Sequence, residues 1–211
     1  MFRIFCIIVG YFIGCIQSAY IVGKFYKVDI RNYGSGNLGT TNALRVLGKR
    51  AGLITFVCDI AKSIVAFFLT QFLFGHLEGS VGIPYLAGLY GAFGAVLGHI
   101  FPFYLKFKGG KGIASTIGLI LSYALCTDPK IIILIAVIAL SCLCTRYVSL
   151  ASLAIVITYP ISLFICGIRN EVFILAIVIC IITVVRHRSN IQRLINHNEN
   201  KLSFKKTNKG S

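Results

Sequence analysis

Long apolar runs separated by short polar segments dominate the hydropathy pattern of this 211-residue chain. An α-helix needs about 20 residues to cross a hydrocarbon core that is ~30 Å thick. Five runs are close to that length or longer, and they are residues 4–23, 52–74, 85–105, 149–167 and 171–186. The pattern therefore predicts an all-α polytopic membrane protein.

Two shorter apolar runs, residues 112–126 and 131–144, lie between the third and the fourth long run. Asp128 and Pro129 separate them, and such a pair favours a helix break. Each run is about four helical turns long, so either each run reaches only part way across the membrane or the two form a compact helical pair. We expect about seven transmembrane helices, or five if the pair is re-entrant.

Basic residues are concentrated in four of the connecting segments. Of the 21 Lys and Arg, 17 lie in residues 24–51, 106–112, 146–148 and 186–211, against six Asp and Glu in the whole chain. Basic loops remain on the cytoplasmic side of a membrane. With either number of spans, this predicts an N-terminus outside and a C-terminus in the cytoplasm. We expect one integral membrane domain over residues 1–211.

The segment after the last run is predicted to be a cytoplasmic or interfacial tail, residues 186–211. Ile191, Leu194, Ile195 and Leu202 share one face of a helix there, with basic and amide residues on the other face. Such a helix is typical of a segment that lies on an anionic membrane surface.

A glycine-rich segment, GSGNLGTTNALR at residues 34–45, contains the pattern G-x-G-x-x-G. In a dinucleotide-binding fold this pattern follows a buried strand and precedes an acidic residue by about 20 positions. Here it follows a membrane span, and the next acidic residue, Asp59, lies within another span. The segment also lacks the G-K-[ST] ending of a nucleotide-triphosphate loop.

The composition of this segment still favours anion binding, because glycines allow close backbone approach and short polar side chains donate hydrogen bonds. The candidate ligands in it are Gly34, Ser35, Gly36, Asn37, Gly39, Thr40, Thr41, Asn42 and Arg45.

A second polar segment, GHIFPFYLKFKGGKG at residues 98–112, follows the third run. Its lysines resemble snorkelling anchors at a membrane surface. An anchor needs no flexible loop beside it, however, so the glycines favour a functional role for Lys111. The candidate ligands are His99, Lys108, Gly109, Gly110 and Lys111.

The third polar segment, RHRSNIQR at residues 186–193, follows the last run. His187 and Asn190 are three positions apart and share a helix face, so both can point toward the other two segments. We interpret Arg188 and Arg193 as part of the positively charged cytoplasmic cap.

All three segments are predicted on the cytoplasmic side, where together they offer many Arg, Lys, His, Ser and Asn donors and almost no carboxylates. Such a site binds phosphate groups. It suits neither two-carboxylate catalysis nor Mg²⁺, which prefers oxygen ligands. The eight Cys form no CxxC pair and no metal-like spacing with the four His, so we predict no metal and no cofactor.

One ionic pair is predicted inside the second run, since Asp59 and Lys62 are at i and i+3 on one helix face. It is either a buried structural pair or a support for the cytoplasmic site.

The three segments, in this order, resemble the three motifs of the PlsY family of bacterial membrane acyltransferases, the acyl-phosphate:glycerol-3-phosphate acyltransferases. The resemblance implies a seven-helix inner-membrane enzyme that moves a fatty acyl group from acyl phosphate to the 1-hydroxyl of glycerol 3-phosphate. The products would be lysophosphatidic acid and phosphate, and the partners would be the two substrates and membrane lipid. We expect a monomer.

The same resemblance implies a phosphate-binding and catalytic set of Ser35, Arg45, Lys111, His187 and Asn190, with Lys108 as a rival to Lys111. One departure is visible. The family continues its third motif to Gly-x-Glu, whereas this chain has HNE, with His197 in the Gly place and Glu199 kept.

Two other functions compete with the acyltransferase. A small transporter or channel for an anionic solute would also use several spans and a basic vestibule, although all three polar motifs lie on one face. A membrane-anchored nucleic-acid binder is disfavoured, because the basic residues are dispersed and lack interleaved exposed aromatic residues. None of the four His is followed by Asp at the fifth position, which argues against an H-x-x-x-x-D acyl-thioester transferase.

Overall fold

The computed structural model describes residues 1–201, and Leu202 of the predicted tail face lies outside this range. The described residues are helical almost throughout. Their α-helices are α1 (Phe2–Gly14), α2 (Ser18–Phe25), α3 (Thr40–Leu47), α4 (Lys49–Phe74), α5 (Leu86–Ile100), α6 (Ile113–Cys126), α7 (Lys130–Leu143), α8 (Val148–Ile165), α9 (Glu171–Arg186) and α10 (Arg188–Ile195).

The predicted all-α membrane class is confirmed, with four or five candidate spans of sufficient length. Four segments are long and apolar enough to cross a membrane: Phe2–Phe25, Lys49–Leu77, Leu86–Leu105 and Val148–Ile165. A fifth is the pair α9 and α10, which meet at a bend of 62°. The central helices α6 and α7 are apolar but have only 14 residues each.

The first predicted span is broken into α1 and α2 at residues 15–17. A break inside a membrane exposes backbone carbonyls, which then need other donors. Lys62 Nζ donates to the Ile16 carbonyl at 2.8 Å, and the Tyr104 hydroxyl donates to the Cys15 carbonyl at 2.8 Å. Side chains from α4 and from the segment after α5 therefore stabilise a break that hydropathy alone does not reveal.

Helices α1 and α5 pack through glycines. A Cβ atom at Gly10 or Gly14 of α1 would collide with the backbone of Gly91 or Ala95 of α5, and Gly98 fits equally closely against the α1 backbone. Small residues allow two membrane helices to approach this closely. Helix α4 lies beside this pair and also packs against α2, α3 and α6, while α8 packs between α7 and α9.

The N-terminal parts of α1, α5 and α9 meet at one end of the bundle. Arg3 Nη2 lies 2.5 Å from Glu171 Oε1, and the Tyr90 hydroxyl donates to Glu171 Oε2 at 2.7 Å. Because each residue is near the start of its helix, the three helices run in the same direction. The segments that follow the α1–α2 pair, α5 and α9 therefore lie together at the opposite end, and these segments carry the three polar motifs.

Candidate active site

A cavity of about 340 Å³ lies where the three polar motifs meet. All five residues of the expected catalytic set line it: Ser35, Arg45, Lys111, His187 and Asn190. Most of the other expected ligands also line it, namely Gly34, Asn37, Gly39, Thr40, Thr41, Asn42 and His99. Four expected ligands do not form its wall: Gly36, Lys108, Gly109 and Gly110.

The glycine-rich segment is held in shape by Asn42. Its Oδ1 accepts from the Ser35 backbone N–H at 2.9 Å, and its Nδ2 donates to the carbonyls of Ile30 and Tyr33 at 3.2 and 3.1 Å. Asn42 is only 1% exposed. The oxygen and the nitrogen of its side-chain amide are thus both engaged within the loop, so Asn42 positions the loop although it borders the cavity.

Gly34 and Gly36 supply the left-handed turns of this loop, with φ angles of 63° and 68°. These φ angles disfavour residues with a side chain. Beneath the loop a small apolar core anchors it to α2 and α3, and this core consists of Ala19, Ile30, Leu38 and Ala43.

The Gly109–Gly110 segment folds back on the end of α5. The backbone N–H of Gly109 donates to the Ile100 carbonyl at 3.2 Å, and that of Gly110 donates to the His99 carbonyl at 3.1 Å. A Cβ atom on Gly110 would overlap the His99 ring. The two glycines therefore allow the close return of the chain that brings Lys111 to the cavity.

Arg186 connects the second motif to the third. Its Nη2 donates to the carbonyls of Gly109 and Gly110 at 3.2 and 3.4 Å. Lys108 lies on the same loop, but it is exposed and is absent from the cavity wall. The structure thus separates the two rival lysines and brings only Lys111 to the other candidate residues.

A chain of polar contacts joins the second motif to the end of the third. Lys111 Nζ donates to Asn190 Oδ1. Asn190 Nδ2 donates to Glu199 Oε1 at 2.9 Å, and Arg193 Nε donates to Glu199 Oε2 at 2.8 Å. Arg193 thus belongs to the cavity wall, whereas the sequence placed it in the general cytoplasmic cap.

Burial and neighbouring groups shift the pKa values of Lys111 and Glu199 in this series of contacts. Burial lowers the pKa of Lys111 to about 8, and the nearby charge of Arg193 acts in the same direction. Burial acts to raise the pKa of Glu199, but hydrogen bonds from Arg193 and Asn190 outweigh it and hold this pKa below its usual value. At neutral pH the site therefore contains a charged but easily deprotonated ammonium group and an ionised Glu199.

His187 lies at the junction of α9 and α10 and is neutral at physiological pH. Burial lowers its pKa to about 4, and the charge of Lys111 contributes. Its Nδ1 lies 2.8 Å from the Thr183 carbonyl, which can only accept, so Nδ1 carries the proton. The Nε2 atom then has a free lone pair, which makes it a hydrogen-bond acceptor and not a phosphate donor.

The turn after α10 keeps its shape despite the replacement of Gly by His197. His197 adopts a left-handed φ of 55°. The next residue, Asn198, donates its backbone N–H to the Arg193 carbonyl at 2.8 Å, as in a helix end closed by glycine. This turn directs Glu199 back to Asn190.

The predicted Asp59–Lys62 pair forms, with 2.9 Å between Lys62 Nζ and Asp59 Oδ1. The Ser18 hydroxyl donates to the same oxygen at 2.8 Å. Lys62 Nζ also lies 2.8 Å from Nδ1 of His99, and both Asp59 and His99 line the cavity. Asp59 therefore forms part of the wall, and Lys62 lies behind it in contact with Asp59 and His99.

The expectation of a site almost without carboxylates is corrected by Asp59 and Glu199, which both border the cavity. Each has a basic partner, so the cationic excess of the site persists. Sequence reasoning did not assign the remaining lining residues, which are Phe56, Gly112, Ile113, Ala114, Val148, Ser149, Ser152 and Asn200. Glu199 could have been identified from the sequence, because it belongs to the extension of the third motif. Val148, Ser149 and Ser152 could not, because no sequence pattern distinguishes them from other residues of the apolar runs.

Comparisons with known proteins agree on one family. The profile of the family described as "Glycerol-3-phosphate acyltransferase" matches residues 4–197. A glycerol-3-phosphate acyltransferase of Endomicrobium trichonymphae is 42% identical, over 98% of this chain and 99% of its own length. One from Staphylococcus haemolyticus is 38% identical, over 97% of this chain and 100% of its own.

Solved structures agree with the sequences. The crystal structure of PlsY (YgiH), an integral membrane glycerol 3-phosphate acyltransferase, in its glycerol 3-phosphate form has a TM-score of 0.82 and 33% identity to this chain. That match covers 95% of this chain and 96% of the other. Its lysophosphatidic acid form has a TM-score of 0.79 and 32% identity, over 96% of both chains. This chain is therefore a member of the glycerol-3-phosphate acyltransferase family of integral membrane proteins.

Proposed function

We propose that this protein transfers a fatty acyl group from acyl phosphate to the 1-hydroxyl of sn-glycerol 3-phosphate. The reaction would release lysophosphatidic acid and inorganic phosphate and needs neither a metal nor a cofactor. The observation that carries the proposal is the single cavity where all three polar motifs meet beside an apolar wall that includes Phe56, Ile113 and Val148. Such a cavity suits two phosphorylated substrates, one of which has a lipid tail.

Ser35, Arg45, Lys111 and Asn190 are the proposed ligands of the substrate phosphates. Arg45 and Lys111 provide positive charge, while Ser35 and Asn190 provide polar groups at the cavity wall. We assign this role to Lys111 and not to Lys108, because Lys108 is exposed outside the wall. The loop glycines and Asn42 act by shaping the backbone.

His187 is the proposed acceptor for the attacking hydroxyl. Its protonated Nδ1 is engaged by Thr183, which leaves Nε2 free to hold the hydroxyl proton. The hydroxyl oxygen forms a bond to the acyl carbon, the bond from that carbon to the phosphate oxygen breaks, and phosphate leaves with the electron pair. The hydroxyl proton passes to His187 Nε2 and then to the departing phosphate. Phosphate is a good leaving group, so no covalent acyl-enzyme is required.

We propose seven membrane crossings, an outside N-terminus and a cytoplasmic active site in the bacterial inner membrane. The α6–α7 turn supports the count, because Asp128 and Lys130 border the same surface pocket as Ile165 and Cys166 at the end of α8. The hairpin thus extends as far as α8 does. The positive charge of the three motif segments supports the orientation.

The decisive experiment incubates the purified protein, which we expect to be a monomer, with labelled glycerol 3-phosphate and either acyl phosphate or acyl-CoA. We expect labelled lysophosphatidic acid with acyl phosphate alone. Product from acyl-CoA alone would contradict the proposed donor, and trapping of an acylated Ser or Cys would contradict direct transfer. No product with either donor would contradict the function itself.

A further inference from the structure

The ammonium group of Lys62 has three acceptors in the membrane-embedded part of the fold. They are Asp59 Oδ1 at 2.9 Å, the Ile16 carbonyl oxygen at 2.8 Å and His99 Nδ1 at 2.8 Å. A protonated Lys has three N–H donors and no acceptor. These contacts, an ion pair with Asp59 and hydrogen bonds to Ile16 and His99, account for the three donors of a protonated Lys62.

This arrangement determines where the neutral His99 ring carries its proton. A protonated Lys62 can only donate, so Nδ1 of His99 accepts from it at 2.8 Å, while Asp59 Oδ1 is the more distant partner of Nδ1 at 3.5 Å. The ring proton is then on Nε2. Nε2 lies against Gly110, since a Cβ atom there would overlap it. Within residues 1–201 no protein acceptor forms a hydrogen bond with Nε2, although His99 is only 3% exposed and borders the cavity. An N–H donor at the cavity wall is thus available to a ligand.

The position of His99 indicates which substrate meets this donor. Asp59, Phe56 and His99 belong to the candidate membrane spans Lys49–Leu77 and Leu86–Leu105, whereas Lys111 lies in a loop outside the candidate spans. Phe56 precedes Asp59 by three positions, so an apolar side chain and the ionic pair share one face of α4. The head of a lipid substrate in this cavity would therefore have an apolar side chain and the His99 donor on the same wall.

We propose that Asp59 and Lys62 are positioning residues that hold His99 as an Nε2–H donor to an anionic oxygen of the acyl-phosphate head. This inference rests on the acyl-phosphate donor of the proposed function. It makes His99 a specific ligand of the lipid substrate, and it explains why a charged pair lies inside a membrane helix, where isolated charges are costly.

Two substitutions of His99 give opposite expectations for this role and for a merely structural one. In His99→Asn the amide extends only as far as Nδ1, so it can still accept from Lys62 but offers nothing at the Nε2 position. In His99→Gln the amide reaches the Nε2 position and can donate into the cavity. If His99 only held Lys62 in place, Asn would be the better substitute. The proposal requires Gln to be the better one.

The measurement is kcat/KM for acyl phosphate at saturating glycerol 3-phosphate, with wild-type protein assayed in parallel. We expect His99→Asn to lower this value about ten- to a hundred-fold, the range for a lost hydrogen bond to a charged group. His99→Gln should recover most of the loss, and KM for glycerol 3-phosphate should change little. Thr70→Val is the matched control, because Thr70 also links α4 to α5 through its bond to the Ala87 carbonyl but lies outside the cavity wall.

Suppose that the wild-type enzyme is active and that kcat/KM for acyl phosphate is as high in His99→Asn as in His99→Gln, or higher. This result would overturn the inference while leaving the proposed function intact. An inactive wild-type enzyme would instead refute the proposed function. If neither variant folds, nitrogen-15 NMR of wild-type protein with labelled histidine decides. The Nε2–H form of His99 at neutral pH supports the inference, and the Nδ1–H form or the cation overturns it.

Discussion

Asn190 Nδ2 donates a hydrogen bond of 2.9 Å to Glu199 Oε1, across the turn that ends α10. The other end of the same amide accepts from Lys111. An amide donates at one end and accepts at the other, so these two partners determine its orientation. The residues after α10, which the sequence predicted to be a cytoplasmic or interfacial tail, therefore help to shape the candidate active site.

Asn190→Asp tests this orientation. The new carboxylate would face Glu199 without a donor between them, and like charges at this distance repel. We expect at least a tenfold loss of activity and a decrease of about 1–3 kcal/mol in the free energy of unfolding. The additional change Glu199→Gln restores a donor and should recover part of the stability. Thermal unfolding in detergent measures this, and an unchanged melting temperature in Asn190→Asp would argue against the contact.

The pKa of Lys111, which burial lowers to about 8, predicts a pH dependence. The ammonium is charged below this pH and neutral above it, so phosphate binding is lost as the pH rises. We expect kcat/KM for glycerol 3-phosphate, which reports the free enzyme, to fall by up to tenfold for each pH unit above about 8. Lys111→Arg should move this fall to higher pH, because a guanidinium group remains charged there. If kcat/KM of Lys111→Arg falls at the same pH as that of the wild type, the group that titrates is not Lys111.

The two lysines of the second motif should differ sharply. Lys111→Ala removes a charge-assisted contact worth about 1.5–3 kcal/mol, so we expect kcat/KM to fall roughly ten- to a hundred-fold. Lys108→Ala should keep kcat/KM within about twofold, because surface substitutions of this kind have small effects and Lys108 is exposed outside the cavity wall. Steady-state kinetics of both variants measures the difference. A larger loss of kcat/KM in Lys108→Ala than in Lys111→Ala would mean that Lys108, and not Lys111, binds the phosphate.

Gly110 should not tolerate a side chain. A methyl group there would overlap Nε2 of His99, so Gly110→Ala must displace the ring or the loop. We expect activity to fall at least tenfold while the protein still inserts into the membrane, since no span is altered. Gly75→Ala is a suitable control, because its Cβ atom would meet only the flexible Gln71 side chain. Full activity of Gly110→Ala would show that the loop has more room than the structure indicates.

His197→Gly should stabilise the turn that carries Glu199. His197 has a φ of 55°, a conformation that costs residues with a Cβ atom about 1 kcal/mol. We expect a small increase in melting temperature and unchanged or higher activity. Asn196→Gly, at a residue with a φ of −84°, should give no such gain. A lower melting temperature in His197→Gly would mean that the imidazole makes a stabilising contact.

Hydropathy and charge predicted the helical class and the apolar runs well, because the cost of placing polar groups in lipid is a property of each local segment. The glycines, lysines and the His187–Asn190 pair likewise identified the three motifs. Hydropathy did not predict the break between α1 and α2. That break depends on donors from Lys62 and Tyr104, which are distant in the sequence.

By itself, the sequence determined that the chain is polytopic and helical and that it has three cationic polar segments. Residue type and local spacing are sufficient to identify both the helical spans and the polar segments. Only the tertiary structure decided that Lys111, and not Lys108, borders the cavity, that Arg193 and Glu199 belong to it, and that Lys62 contacts His99. These relationships depend on which side chains distant helices bring within hydrogen-bonding distance. Helix packing sets those distances, and the periodicity of a single segment carries no information about them.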